Sequence, residues 1–189
     1  MSAVTAPIKR SPLVNGIDSA ALAGIIDAVK ANAEIARFNF RLTNKWLGGV
    51  KTRSIVKEFT GALQTHRTDA KGFVVDSGEP PVLLGDDTAP GAGEWLLHSL
   101  VSCLTTTIAY HAAARGIAIE GIESQIDGDI DLRGFLGLAD VRKGYSALRV
   151  HMRVRTKAEP AMIESLARYS PMLDVVSRSV PVSLRVETY

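Results

Sequence analysis

The sequence Glu94-Trp-Leu-Leu-His-Ser-Leu-Val-Ser-Cys103-Leu-Thr-Thr-Thr107 is the most informative part of this chain, and it continues without proline to Arg115-Gly116. Its length and apolar character predict one helix with Cys103 near its first third. Apolar residues fall on nearly every side of that helix, and a helix without a polar face is buried in a core or between subunits. Since one small sheet can cover only one face of the helix, we expect a homodimer.

Cys103 is the only cysteine in the chain, and two interpretations of it are open. A lone buried cysteine commonly packs as a small hydrophobic residue. Alternatively, a nearby cation keeps the thiol ionised and so makes it a nucleophile. The residues of the helix alone do not decide between the two.

The composition limits the classes of function. The 189 residues carry 22 basic and 20 acidic side chains, a net charge of +2, which predicts no strong attraction to nucleic acid or to an anionic membrane. A single cysteine cannot form an internal disulfide, and the N-terminus lacks the long apolar core of a signal peptide. No apolar stretch approaches the length of a membrane span. We therefore expect a cytoplasmic protein that binds neither nucleic acid nor membrane.

Further elements are predicted on both sides of the cysteine helix. Residues 1 to about 16 show no periodicity and predict a loose arm, after which Asp18 or Ser19 can cap a helix. A hairpin is predicted from residue 36 to 59, and short helices from 159 to 168 and from Ser170-Pro171 onward. Additional strands are predicted at 63–67, 73–76, 117–132, 145–155 and 182–186. This order indicates an α+β fold with an antiparallel sheet beside buried helices.

Three ionisable residues of the cysteine helix are close to Cys103 in sequence. Glu94 lies nine residues before it, so in one straight helix the two are roughly 13 Å apart and about 180° around the axis. They can cooperate only if a second subunit or a bent helix start brings them together. Alone, Glu94 is an acid that the helix dipole favours at a helix start. His98 and His111 lie about 140° and about 80° around the helix from the thiol, and we interpret both as structural.

We predict no metal site and no cofactor. Asp127-Gly-Asp129-Ile-Asp131 resembles a calcium loop. It lacks the glycine at the position that such a loop requires and the distal glutamate, so we interpret it as a strand with one solvated face. The sequence has neither a Gly-rich phosphate loop nor a nucleophilic serine elbow. The histidines show no metal-ligand spacing with one another or with Cys103: His66, His98, His111 and His151.

The cysteine helix, with Tyr110-His-Ala-Ala-Ala-Arg115-Gly116 at its end, resembles the central helix of the OsmC/Ohr proteins. That family is named for osmotic induction and organic hydroperoxide resistance. The resemblance extends to Pro80-Pro-Val-Leu-Leu-Gly85-Asp86-Asp87 before the helix, and to Asp127–Gly137 and Gly144-Tyr145 after it. It covers about residues 36–187. We therefore divide the chain into an N-terminal arm and helix, 1–35, and an OsmC-like domain, 36–189.

The resemblance implies an α+β fold whose antiparallel sheets wrap around a long buried cysteine-bearing helix in an intertwined homodimer. It also implies thiol-dependent reduction of organic hydroperoxides, with Cys103 as the peroxidatic cysteine. Glu94 matches the carboxylate that holds an activating arginine. Our choice for that arginine is Arg67, in Gln64-Thr-His-Arg67, with Arg53 second. Such an arginine favours the thiolate and polarises the peroxide.

The sequence departs from this family at one position. Fully active members carry a second cysteine, in a Cys-Pro pair near the start of the last helix, which resolves the sulfenic acid. The matching pair here is Ser170-Pro171. Serine cannot form a disulfide, so an external thiol would have to reduce Cys103. Serine before proline is also sufficient as a plain helix cap.

Three functions are consistent with these residues. The first is a homodimeric, single-cysteine hydroperoxide reductase, which the retained Cys103 and Glu94 favour. The second is a non-catalytic or weakly active protein that binds or senses small molecules on the same fold, which the missing resolving cysteine favours. The third is a scaffold dimer with an inert cysteine. A catalytic thiol has a pKa well below the free value of roughly 8.5, whereas a core thiol is unreactive.

Overall fold

The computed structural model describes residues 13–189, which form two compact units. One unit contains residues 26–100, and the other contains residues 101–189 together with the described residues up to 25. The boundary between the units falls within two helices, α1 (Ser19–Ala31) and α2 (Ala92–Ala114). The architecture is α+β, as the sequence predicts, and all but one of the strand pairs among residues 13–189 are antiparallel.

The described chain begins with a small antiparallel hairpin of β1 (Leu13–Val14) and β2 (Ile17–Asp18). Its turn is Asn15-Gly16, with φ of 54° and 76°, the left-handed backbone that a two-residue hairpin turn requires. Asp18 Oδ1 accepts a hydrogen bond from the Ala21 amide at 2.9 Å, which confirms the predicted cap of α1. The prediction of a loose arm is wrong for residues 13–16, and its remainder, residues 1–12, lies outside the described residues.

The unit of residues 26–100 contains a sheet with β4 at its centre. β3 (Asn39–Gly48) and β4 (Lys51–Gly61) form the predicted hairpin, while β5 (Gln64–His66) and β6 (Phe73–Ser77) also pair with β4. Phe40 and Leu42 of β3 are two residues apart but oppose Phe59 and Val56, which are three apart. This bulge gives β4 one extra residue, so Phe59 turns to the face that carries Val56.

The large apolar side chains of this sheet are open to solvent. Five of them are more than half exposed in the single chain: Phe40, Leu42, Trp46, Phe73 and Val74. Monomeric soluble proteins keep contiguous apolar patches small, and larger ones usually mark interaction sites. The sheet therefore has the character of an interface.

Helix α2 is continuous from Ala92 to Ala114, which confirms the predicted helix. Gly116 follows with φ of 68°, and the Ile117 amide donates back to the Ala112 carbonyl at 2.9 Å, a Schellman-type end. One stripe of the helix, including Leu104, Ile108 and Ala112, is fully buried. Other sides are open, and Tyr110 is 53% exposed. A single chain thus covers only part of this apolar helix.

The unit that contains residues 101–189 has a three-stranded sheet and three shorter helices. In chain order the elements are β7 (Ile119–Asp129), α3 (Leu132–Phe135), β8 (Ala147–Thr156), α4 (Pro160–Ala167), α5 (Pro171–Ser177) and β9 (Val182–Thr188). β7 pairs with β8 antiparallel, but β9 pairs with β8 parallel, so this sheet is mixed. Two helices connect β8 to β9, and a crossover of this kind returns the chain to the end at which β8 began.

The side chains of strand β8 alternate between an apolar, buried side of that sheet and a polar side. Leu148, Val150, Met152 and Val154 alternate along it at no more than 2% exposure, as the period of a strand requires. Arg149, on the opposite side, forms ion pairs with Asp127 and Asp129 of β7. The predicted strand with a solvated face is confirmed up to Asp129. It ends there because the Asp131 side chain instead accepts the Arg133 amide at 3.0 Å and caps α3.

Among residues 13–189, the helices are all too short or too polar to cross a membrane.

Candidate active-site residues

Cys103 is a free thiol on α2, and its side chain is half-buried. Leu104, next to it, is fully buried, whereas Thr106, one turn further along, is exposed. The Thr106 hydroxyl donates to the carbonyls of Ser102 and Cys103, at 3.0 and 3.2 Å. Threonine in a helix commonly bonds back to the preceding turn in this way. The thiol is therefore not sealed in a core, and partial exposure is what a reactive cysteine requires.

Glu94 lies in the first turn of α2, where it satisfies the helix start. Its Oε2 accepts a hydrogen bond from the Gly91 amide at 2.7 Å, which is one half of a capping box. The helix begins at Ala92, two residues before Glu94, so Glu94 and Cys103 lie on the same helix. Within one continuous helix, Glu94 and Cys103 point to opposite sides of the axis.

Arg67 follows β5 in a left-handed backbone conformation, with φ of 60°. Its guanidinium carbon lies 4.8 Å from the centroid of the Phe59 ring and 5.4 Å from that of Phe73. Its Nε is buried and has no hydrogen-bond partner among the described residues. Arg67 and Glu94 belong to the same unit, yet the Glu94 carboxylate is taken by the Gly91 amide rather than by Arg67.

Arg53, the second candidate arginine, is already committed to a carboxylate. Its Nε and Nη2 donate to the two oxygens of Asp76 at 2.7 and 2.9 Å. These hydrogen bonds lower the pKa of Asp76 and raise that of Arg53. Such a bidentate pair occupies two of the five N–H donors of Arg53 and offsets its charge. The environments of the two arginines therefore favour Arg67 as the activating arginine.

Three of the histidines pack against aromatic rings. His66 stacks on Phe59 with ring centroids 4.7 Å apart, and His98 meets the edge of Trp95 at 5.5 Å. His111 stacks on Tyr169 at 4.4 Å. The part of the chain that the structure describes contains no group of His, Cys, Asp and Glu side chains that could hold a metal ion.

Burial, followed by repulsion from Arg115, lowers the pKa of His111. Arg115 Nη1 lies 3.1 Å from its Nδ1. Because the guanidinium can only donate, this contact requires an unprotonated Nδ1. His111 is thus held neutral beside a cation.

Ser170 is fully buried at the start of α5. Its hydroxyl accepts a hydrogen bond from the Leu173 amide at 3.3 Å, and Pro171 occupies the first helical position. This geometry confirms the predicted helix cap.

The structure places Arg67 and Glu94 in the unit of residues 26–100 and Cys103 in the other unit. Their assembly around one thiol stays a prediction. Two residues that the sequence did not single out, Phe59 and Phe73, contact the candidate arginine. The sequence spacing between these two phenylalanines and Arg67 matches no known motif. The pairing of the strands is what brings the rings close to the arginine.

The chain is similar to known proteins at two levels. A family model described as OsmC-like protein matches residues 85–185, more than half of the chain. Among solved structures, an OsmC-like protein from Mycoplasma pneumoniae is 13% identical with a TM-score of 0.61, over 79% of this chain and 96% of that one. An organic hydroperoxide resistance protein OsmC from Legionella pneumophila is 18% identical with a TM-score of 0.54, over 78% and 96%. At these identities the solved structures establish the fold alone. A comparison with curated proteins found no match.

Proposed function

The chain belongs to the OsmC family, and on that premise we propose that it is a thiol-dependent peroxidase that reduces organic hydroperoxides through Cys103. The observation that carries the proposal is the position of its only cysteine. Cys103 lies on the long helix α2, inside the region that matches the family, and it is half-buried rather than sealed. We propose further that residues 36–189 form the OsmC-like domain and that residues 1–35 precede it.

The reaction begins with the Cys103 thiolate. Its sulfur attacks the distal oxygen of the hydroperoxide, a sulfur–oxygen bond forms, and the oxygen–oxygen bond breaks. The leaving alkoxide takes a proton and departs as an alcohol, so cysteine becomes sulfenic acid while the hydroperoxide is reduced. An external thiol then condenses with the sulfenic acid, releasing water. A second thiol reduces the mixed disulfide and restores Cys103.

Arg67 is the activating arginine in this proposal. A guanidinium near the sulfur favours the thiolate and polarises the peroxide oxygen. Arg67 is suited to this because no carboxylate pairs with it among the described residues, whereas Arg53 is bound to Asp76 through two hydrogen bonds. Glu94 is proposed as the carboxylate that orients Arg67 in the assembled protein.

A second copy of the chain completes the assembly. Three observations support a homodimer: the exposed apolar sheet of β3, β4 and β6, the open sides of α2, and the placement of Glu94 and Cys103 on opposite sides of one helix. The expected result of sedimentation equilibrium is two chains, and a monomer at micromolar concentration would contradict it. We place the protein in the cytoplasm, where thiols are kept reduced.

Ser170 determines how the cycle closes. A buried serine that caps α5 cannot form a disulfide with Cys103. We therefore propose an external thiol reductant. The same observation favours one alternative, a protein that binds or senses small molecules on this fold with little or no turnover.

The two functions separate by titration and turnover. If the protein is a peroxidase, alkylation of Cys103 by iodoacetamide has a midpoint well below the free-thiol pKa of roughly 8.5. Cumene hydroperoxide is then consumed with dithiothreitol as reductant. Arg67→Lys slows the reaction, Arg53→Lys leaves it unchanged, and Cys103→Ser abolishes it. A binding protein would show an ordinary thiol titration and saturable binding of cumyl alcohol without turnover.

A further inference from the structure

We propose that Phe59 and Phe73, which we call the aromatic clamp, are positioning residues for Arg67. The two rings hold its guanidinium by their faces and leave its N–H groups unpaired with any carboxylate. The inference rests on the proposed function, in which Arg67 keeps Cys103 ionised, and it concerns how this chain holds that arginine. It adds a second means of orientation to the carboxylate of Glu94.

The clamp depends on the bulge in β4. Phe73 opposes Val56 across β6 and β4, so those two side chains share a face of the sheet. Phe59 lies three residues beyond Val56 and in a regular strand would point to the opposite face. The extra residue of β4 between Val56 and Phe59 reverses that orientation. Phe59 and Phe73 are thereby brought to the same face, and bulges commonly re-aim side chains in this way.

Arg67 reaches the clamp from the end of β5. His66 opposes Phe59 and stacks on its ring, and Arg67 follows with a positive φ that ends the strand. The guanidinium carbon then lies within 4.8 Å of one ring centroid and 5.4 Å of the other. Both distances are inside the range at which an aromatic face attracts a cation.

An aromatic clamp and a carboxylate hold an arginine differently. Rings attract the flat face of a guanidinium, so its edge donors remain available. A carboxylate engages the edge, as Asp76 does with Nε and Nη2 of Arg53, and neutralises the charge. Of the two candidate arginines, Arg53 is thus paired with a carboxylate and Arg67 is held by rings. Only Arg67 has its edge donors free to meet both Glu94 and the thiolate in the proposed assembly.

Phe40 provides a matched control. It also stacks on Phe59, with centroids 5.3 Å apart, but it makes no cation contact with Arg67. In the single chain Phe40 is 69% exposed and Phe73 is 63% exposed, and both belong to the apolar sheet surface that supports the proposed dimer. Replacement of either by leucine therefore removes one similarly exposed ring, and only Phe73→Leu opens the clamp.

The kinetic test is single-turnover oxidation of reduced Cys103 by cumene hydroperoxide across pH. We expect Phe73→Leu to slow oxidation by about tenfold at pH values below the midpoint of the thiol, where a rise of one pKa unit removes most of the thiolate, and to change it little well above that midpoint. The midpoint of the pH profile moves up with it. Phe73→Tyr restores both, Phe40→Leu changes neither, and Phe73→Leu has no further effect in an Arg67→Lys background. Equal effects of Phe73→Leu and Phe40→Leu, or an undiminished effect in the lysine background, overturn the proposal.

A second readout separates this proposal from the proposed function. Because Arg67 Nε is buried, we expect its N–H to exchange slowly with water in nitrogen-15 NMR spectra, faster in Phe73→Leu, and at the wild-type rate in Phe40→Leu. If wild-type Cys103 reacts no faster than a free thiol, the proposed peroxidase activity is refuted, and the exchange rate of the Arg67 N–H alone tests the clamp. Acceleration confined to Phe73→Leu supports the clamp, and equal exchange in the three proteins overturns it.

Discussion

Replacement of Ser170 by alanine tests whether this residue serves only to cap α5. The substitution removes one hydroxyl and leaves the Leu173 amide without its 3.3 Å acceptor. Loss of a serine cap costs about 0.5–2 kcal/mol. The bond is long, which lowers the cost, but Ser170 is fully buried, so water cannot replace it. Because Pro171 still favours the helix start, we expect a loss of about 1 kcal/mol in the free energy of unfolding.

Urea denaturation of the reduced protein measures that loss. Ser177→Ala, which changes an exposed serine in the same helix, is the control. We expect Ser177→Ala to stay near wild type, and the rate of Cys103 oxidation by peroxide to remain unchanged in Ser170→Ala. The capping account is refuted if Ser170→Ala is as stable as wild type, or if it slows oxidation of the thiol while the fold is intact.

Three further predictions concern the unit that contains residues 101–189. His111 has a lowered pKa, so the unfolded state binds a proton first as pH falls. The free energy of unfolding should therefore decline between about pH 7.5 and about pH 5.5, and it should decline less in His111→Phe. The same pH dependence of urea denaturation in the wild type and in His111→Phe would contradict this. A Cβ on Gly134 would lie 2.5 Å from the Arg142 carbonyl oxygen, so Gly134→Ala should cost about 1–3 kcal/mol, whereas Gly144→Ala, with open space around it, should cost little. Met152 is fully buried and Met162 is 46% exposed, so Met152→Ala should cost about 2–5 kcal/mol by calorimetry and Met162→Ala clearly less.

Local signals in the sequence determine most of the secondary structure. The apolar run around Cys103 predicts α2, alternation predicts the β3–β4 hairpin, and Ser170-Pro171 predicts the start of α5. Asn15-Gly16 between apolar residues is also a hairpin signal, and it could have corrected the expectation of a loose arm. The parallel pairing of β8 and β9 carries no such signal, because partner choice depends on residues far apart in sequence.

The candidate site was less accessible to sequence reasoning. Cys103 is unique in the chain, and Glu94 could be expected at a helix start, where the structure shows it capping. The different environments of Arg53 and Arg67 follow from which strand residues face each of them. The bulge in β4 that brings Phe59 to Arg67 is a mismatch in pairing between two strands. Lys57 and Glu58, which lie within it, give no sequence signal of a bulge.

The central claim is that Cys103 is a peroxidatic thiol, and its most direct test is single-turnover oxidation of the reduced protein. Cumene hydroperoxide and hydrogen peroxide are compared by intact mass, with Cys103→Ser as the control. We expect rapid addition of one oxygen per chain, faster with the organic peroxide and lost in Cys103→Ser. Oxidation no faster than that of a free thiol would contradict it and favour a binding protein on the same fold.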